Sequence, residues 1–444
     1  MESSTIDYKN KHQFLQMEES CALFDYKERG IPIWEIFRHY IYMRIYFPHQ
    51  STDTDLKKTK KSLYFYFNGL KILLYSVFSW VFYKKTNLLF ECVRNVDTEG
   101  HLFDIVSENI IQELMPDILI VECVRVAQKK RYKYKAEYNF VNVVCSFLRT
   151  KHCLSQEIFL NIENAIDTTF GKNKITYEEL NHLYIQFQKQ YKYYKSYFKY
   201  KKPKRVFFIQ NGIQKGMICA AKHLNIPIFE LQHGTPPGYV YPSNIKENDD
   251  RIIVPDAILT FSSYWGKNVN LPTLTIPIGN DFFAERTTCP EDHSILFISS
   301  SIHGDCLSEF VVEFARLHPE ITINFKLHPS EFRKDDFYKK MFSLYDNIHI
   351  FKNELPVKTL SARSSLVVLI ASTVFFEALH TNAKVGVYKK LDYESLSDYF
   401  TLPNVYLLDS VEDLHHAYCV EKKENTISFF DKFDKTQFYN LLTS

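Results

Sequence analysis

Apolar residues along the chain gather into short continuous runs, and between the runs they recur at helical spacing. Short apolar runs bounded by polar turns predict buried parallel strands, and the periodic stretches between them predict crossover helices. The runs are "NLLFECV" (87–93), "DILIVECV" (117–124), "RVFFIQN" (205–211), "IPIFELQ" (226–232), "DAILTFS" (256–262) and "LTIPIGNDFF" (274–283). After the polar segment "AERTTCPEDH" (284–293) the pattern restarts with "SILFISSS" (294–301), "ITINFKLHP" (321–329), "NIHIF" (347–351), "SSLVVLIAS" (364–372) and "AKVGVYK" (383–389). The expected fold class is α/β: two Rossmann-like domains facing a cleft, residues 1–283 and 290–444.

Three stretches depart from the alternation. Residues 1–60 read as helical, with aromatic and basic residues interleaved in "GIPIWEIFRHYIYMRIYF". Residues 128–205 read as a mostly helical insertion bracketed by the lysine- and tyrosine-rich "KKRYKYK" and "KQYKYYKSYFKYKKPKR". Residues 62–83, "SLYFYFNGLKILLYSVFSWVFY", are long enough to cross a bilayer but are interrupted by Asn68, Gly69 and Lys71. A helix lying on an anionic membrane fits this composition better than a spanning one; a buried helix is the remaining reading.

Length and composition narrow the function classes. At 444 residues the chain is too long for one core. A formal net charge of +2 supplies no global attraction to nucleic acid, so any basic surface is local. The 9 cysteines form no CxxC pair, and the N-terminus "MESSTIDYKNKHQF" lacks a secretory pattern. A reducing, cytoplasmic setting is expected, peripheral to the inner face of the plasma membrane.

Candidate chemistry sits in loops at the carboxyl ends of expected strands, where open α/β sheets take ligands. In "ELQHGTPPG" (230–238) His233 follows the strand, with Gln232, Gly234 and Thr235 shaping a loop that two prolines stiffen. An imidazole held there serves as a general base or merely caps the strand. In "KLHPSEF" (326–332) Lys326 and His328 offer positive charge, Pro329 stands where a helix can begin, and Ser330 adds a donor. That set suits a phosphate, or an ordinary basic turn. In "LIASTVFFEAL" (369–379) Ser372 and Thr373 open a helix, as an anion site or a simple N-cap. Glu377, one turn on, can accept hydrogen bonds from a ribose or face solvent. A fourth loop, "RNVDTEGH" (94–101), offers Asp97 and Glu99 as a base for a hydroxyl, or as a solvated turn. The loops together are harder to reach by accident than any one alone.

Taken together, these residues resemble glycosyltransferases of the two-Rossmann (GT-B) architecture that build bacterial capsule, lipopolysaccharide or teichoic-acid polymers. "KLHP" is similar to the His-Pro motif of sialyltransferases and Kdo transferases, which use CMP-activated sugars, and "IASTVFFEAL" to the Ser/Thr motif that follows it. The resemblance implies that His328, Pro329, Ser372 and Thr373 bind the donor nucleotide and phosphate. "QHGTPPG" resembles the HGTP segment of teichoic-acid polymerases using CDP-glycerol, which implies His233 as the base. The likeness covers roughly half the chain, and the acidic motif of sialyltransferases survives only as "TEG" (98–100). The base therefore stays open between His233 and Asp97 or Glu99.

The implied reaction is a metal-independent, inverting sugar transfer with no cofactor beyond the nucleotide-activated donor, CMP-type favoured. Its partners are that donor, a glycan or lipid-linked glycan acceptor and an anionic membrane surface, with no nucleic acid. A CDP-glycerol or ribitol transferase, an epimerase of the same architecture, and a single-strand binder stacking bases on tyrosines are the alternatives.

Overall fold

A computed structural model of the protein describes residues 10–46, 74, 77–79, 81–82, 84–91, 93, 95–97, 99–123, 132–150, 152–171, 175–209, 212, 214–234, 251–268, 271, 273–286, 290–300, 304–390 and 393–443. The chain divides into two compact units, residues 9–280 with 433–444, and residues 281–432.

The first unit is built on a seven-stranded sheet of β1 (Asn87–Glu91), β2 (Ile118–Cys123), β3 (Ala136–Asn139), β4 (Arg205–Ile209), β5 (Ile228–Leu231), β6 (Ala257–Thr260) and β7 (Leu274–Pro277). Their spatial order is β7-β6-β5-β4-β1-β2-β3, and every pairing is parallel. β1, β5 and β6 are buried at every position, which is why they read as continuous apolar runs. Chain order reverses between β1 and β4, the topological switch point where such sheets open to ligands.

Around this sheet run α1 (Asn10–Ser20), α2 (Trp34–Tyr46), α3 (Glu108–Leu114), α4 (Val141–Phe147), α5 (Gln156–Phe170), α6 (Tyr177–Lys201) and α7 (Lys215–His223). The region expected as a helical insertion thus also contributes β3, an edge strand. Its sequence "AEYN" is short and half polar and carries no apolar run. α6 begins at a capping box, in which the Glu179 amide donates to Thr176 Oγ1 at 3.2 Å and the Thr176 amide to Glu179 Oε2 at 2.9 Å. It buries Leu180, Tyr184, Phe187, Tyr194, Tyr197 and Phe198, near-helical spacing that points one face inward. Leu180 and Tyr184 join a core formed with α1, α2 and α5, while Tyr194, Tyr197 and Phe198 pack beneath β1, β2 and β4. Tyr184, Tyr194 and Tyr197 are therefore core residues, spent before any base could stack on them.

The second unit carries a six-stranded sheet of β8 (Ile295–Ile298), β9 (Ile323–Lys326), β10 (Ile348–Phe351), β11 (Leu366–Leu369), β12 (Lys384–Tyr388) and β13 (Val405–Leu408). It is again all parallel, ordered β10-β9-β8-β11-β12-β13, with its switch point between β8 and β11. Helices α8 (Gly304–Leu317), α9 (Asp335–Phe342) and α10 (Val374–His380) contribute to the same apolar core or flank it. β13 is a further edge strand without a strong sequence signal.

The last helix, α11 (Lys435–Thr443), groups with the first unit and not with the second, where its position in the chain would put it. Phe438 packs on Phe207 of β4, the Asp434 amide donates to the Ile278 carbonyl at 2.7 Å, and Lys435 pairs with Glu113 at 2.5 Å.

Candidate functional site

In the second unit the ends of β8, β9 and β10 are level: Ile298 faces Lys326, and Lys326 faces Phe351. The loops that follow β8, β9 and β11 therefore share one edge, centred on the switch point. Two of the four loops singled out in the sequence, "KLHPSEF" and "LIASTVFFEAL", are among them.

Pro329 begins a short 3-10 helix, Pro329–Lys334, and His328 is its cap. The Ser330 amide donates to His328 Nδ1 at 3.2 Å, and Ser330 Oγ lies 2.7 Å from the same nitrogen. A ring nitrogen that accepts an amide hydrogen carries no proton, so the neutral ring holds its proton on Nε2. His328, Pro329 and Ser330 are exposed. The cap thus presents an Nε2–H donor outward from the strand edge, aimed by the backbone.

Lys326 is placed differently. It is buried at the end of β9, and its Nζ donates to the Lys352 carbonyl just beyond β10. Burial lowers its pKa, with Glu354 pulling the other way. The ammonium braces two strand ends, and His328 is left as the exposed donor of the pair.

After β11, Ser372 Oγ accepts the Val374 amide at 3.2 Å and its carbonyl accepts the Phe375 amide at 3.1 Å, which turns the chain into α10. Ser372 is half-buried and Thr373 exposed. Glu377, one turn along, is crowded by protein. Desolvation pushes its carboxyl up to about 7, with Lys358 opposing, so near neutrality it both accepts and donates hydrogen bonds.

Beneath these loops lies a buried carboxylate that the sequence pattern did not flag. Glu331 is 2% exposed; Tyr338 Oη donates to its Oε1 at 2.6 Å, and Ser299 Oγ donates to its Oε2. Ser299 follows β8 and Glu331 belongs to the His328 turn, so one carboxylate ties the loops of neighbouring strands together. Gly304, which opens α8, packs so closely on this cluster that a Cβ would lie 2.1 Å from Glu331 Oε1. The only sequence signal was an acid three residues after His328, within a turn read as a phosphate site or a basic turn.

In the first unit the switch point is flanked by the loops after β1 and β4, and His233 follows β5, the next strand along. Gln232 is buried and bridges two strand ends: its Oε1 accepts the Phe261 amide at 2.9 Å and its Nε2 donates to the Gly234 carbonyl at 3.0 Å. That clamp positions His233, which is half-buried. Thr235 lies outside the described residues.

Asp97 and Glu99 sit at the tip of a small hairpin in which Asn95–Val96 pairs with Leu102–Phe103. Asp97 Oδ1 accepts the amides of His101 at 2.7 Å and Glu99 at 3.0 Å. Partial desolvation works to raise the Asp97 pKa, but these amides and the His101 imidazole outweigh it and hold the carboxyl below its usual range. Glu99 is exposed, 3.3 Å from His101 Nδ1. Both carboxylates are engaged in shaping the turn.

Two groups at this edge were not anticipated. Glu91 ends β1, buried, with Ser107 Oγ donating to it at 2.7 Å. Burial pushes its carboxyl up to about 8; Ser107 opposes, while Asp104, Glu122 and Glu108 add to the rise. The signal was an acid inside the apolar run "NLLFECV". His39 of α2 packs on Gly212, in the loop after β4, where a Cβ would lie 3.3 Å from the ring. Burial lowers the His39 pKa, helped by Lys215 and Arg38 and opposed by Glu35. α2 itself is pinned by a buried network, with Trp34 Nε1 donating to Glu18 at 2.6 Å, Arg38 paired to Glu18, and Lys215 paired to Glu35.

Among the described residues no three His, Cys, Asp or Glu side chains gather as a metal ion would require. No family model matches the sequence, and no curated protein matches it. Among solved structures, the chain is similar to UDP-GlcNAc 2-epimerase from Methanocaldococcus jannaschii, with a TM-score of 0.47 and 14% identity over 81% of this chain and 99% of that one. It is also similar to MurG from Acinetobacter baumannii, with a TM-score of 0.42 and 11% identity over 75% and 90% of the two chains. Anabaena Alr3699/HepE, solved in complex with UDP and glucose, gives 0.39 and 11% identity over 76% and 89%. At such scores the likeness carries no reading of this chain's chemistry.

Proposed function

We propose that the chain is a GT-B-type glycosyltransferase. It would move a sugar, of nonulosonate or Kdo-like class, from a CMP donor onto a growing bacterial surface glycan held at an anionic inner-membrane face. The observation that supports this most is the His328 cap, whose outward Nε2–H stands on the edge that also carries Ser372, Thr373 and Glu377. A phosphate oxygen accepts from Nε2–H and from the hydroxyls, and the Glu377 carboxyl suits a ribose hydroxyl.

In the reaction His233 takes the proton of an acceptor hydroxyl, and the oxygen attacks the anomeric carbon. The bond from that carbon to the phosphate oxygen breaks, and the nucleotide leaves with its negative charge met by His328. Single displacement inverts the anomeric centre, and no metal or further cofactor is assigned a role. The same donor edge would serve a CDP-glycerol or CDP-ribitol transferase.

A thermal-shift panel of CMP, CDP, UDP and GDP tests the reading, because a ligand that binds only the folded chain raises its apparent stability. Stabilisation by CMP or CDP is expected. Stabilisation only by UDP or GDP would sink the cytidine assignment, and none by any nucleotide would sink the transferase.

A further inference from the structure

Of the 62–83 segment, residues 62–73 lie outside the described residues, but several residues of 74–82 are described and helical. Leu74, Val77, Phe78, Val81 and Phe82 are 63%, 55%, 52%, 43% and 68% exposed. Their spacing of three, four, seven and eight places all five on one helix face. Five large apolar side chains together on an exposed face form the kind of patch that marks an interaction site.

The opposite face is bolted down. Ser79 is buried, its Oγ donating to Glu137 Oε2 of β3 at 3.0 Å. Lys201 Nζ, at the end of α6, reaches the same carboxylate at 2.6 Å and the Ser79 carbonyl at 3.2 Å. Tyr200 Oη donates to the Val81 carbonyl at 3.4 Å. The helix is held to the unit by its polar side while its apolar side faces out.

Charge decides what covers it. From Leu56 to Phe90 the sequence has no acidic residue and carries Lys57, Lys58, Lys60, Lys61, Lys71, Lys84 and Lys85. Lys84 stands over the Tyr200 ring, 4.9 Å from its centre, beside the apolar face. A symmetric contact with a second copy would set lysines against lysines, and lysine is depleted from protein interfaces. Among the described residues no helix is long and apolar enough to cross a membrane. An apolar stripe with a lysine margin is what an anionic bilayer surface accepts: side chains in the acyl boundary, ammonium groups at the headgroup phosphates. We propose that this face docks the protein on anionic lipid.

The inference names the surface for the membrane partner in the reading above, but it is tested apart from the nucleotide edge. The full-length chain is floated with vesicles of phosphatidylcholine, with and without phosphatidylglycerol. It should float with the anionic vesicles and release as salt rises, and Val77→Glu/Phe82→Glu should reduce binding at least about tenfold. Lys84→Glu/Lys85→Glu should weaken binding to anionic vesicles with the fold unchanged by circular dichroism. Three results would overturn it: a wild-type chain that stays unbound, equal binding to pure phosphatidylcholine, or a stripe-dependent dimer in sedimentation. Vesicle binding by a chain that no nucleotide stabilises would sink the transferase and leave the docking face standing.

Discussion

Gly304→Ala tests whether the buried carboxylate organises the strand edge of the second unit. The added Cβ would fall 2.1 Å from Glu331 Oε1, 2.4 Å from Tyr338 Oη and 2.7 Å from Ser299 Oγ. Tyr338 Oη donates to that Oε1 and Ser299 Oγ to Oε2 of the same carboxylate, so none of the three retreats without straining a buried hydrogen bond. Overpacking costs about 1–3 kcal/mol and a lost buried bond to a charged group about 1.5–3, against a helix-propensity gain of about 1, for a net loss of about 1.5–5 kcal/mol. With a urea slope of about 2 kcal/mol/M, the midpoint falls by about 0.8–2.5 M.

Far-UV circular dichroism reads this loss. Residues 281–432 contain no tryptophan, so fluorescence supplies a separate reading from the same sample. On a Glu331→Ala background the penalty should shrink, because the nearest obstacle is gone. A dichroism midpoint unchanged from wild type would refute the close packing, and equal costs on both backgrounds would refute the carboxylate's part in it.

Other outcomes follow from the same contacts. Glu137→Ala strands the buried Lys201 ammonium and removes the partner of Ser79 and Tyr197, so it should cost about 3–5 kcal/mol by fluorescence-detected unfolding; a midpoint like wild type would contradict the pair's role. Glu91 has a folded pKa of about 8, above its ordinary value, so the folded state keeps a proton the unfolded state has shed. Its contribution to stability should therefore fall as pH rises from the ordinary carboxylate range through about 8, and Glu91→Gln should remove that part of the slope. Parallel pH profiles would contradict the shift. His328→Ala deletes a donor to a charged oxygen worth about 1.5–3 kcal/mol, so it should weaken nucleotide binding about ten- to a hundredfold; unchanged affinity would refute the phosphate role.

The sheets were legible because buried parallel strands read as apolar runs: "NLLFECV" and "SSLVVLIAS" became β1 and β11 almost in place. Of the edge strands β7 and β10 were read, but β3 and β13 were not: "AEYN" has one open side and no reason to be apolar throughout. The tyrosines of α6 misled in another way. The lysine- and tyrosine-rich composition left base stacking open as an alternative, whereas helical spacing turns Tyr184, Tyr194 and Tyr197 inward and leaves Lys192 and Lys199 to solvent. Loop positions such as His328 and Ser372 could be read from strand ends. The direction of a side chain could not: Lys326 and His328 are two residues apart, yet one braces a buried carbonyl and the other faces out. Glu331 and Glu91 stayed hidden because pairing across the sequence, which spacing does not encode, is what makes a buried acid tolerable.

Hydrogen exchange of the full-length chain with and without CMP tests the central claim most directly. Binding at the proposed edge should slow exchange in the amides after β9 and β11, around 327–331 and 370–376, and His328→Ala should abolish that protection. Protection confined to other segments, or none at saturating CMP, would contradict the assignment of this edge to a cytidine donor.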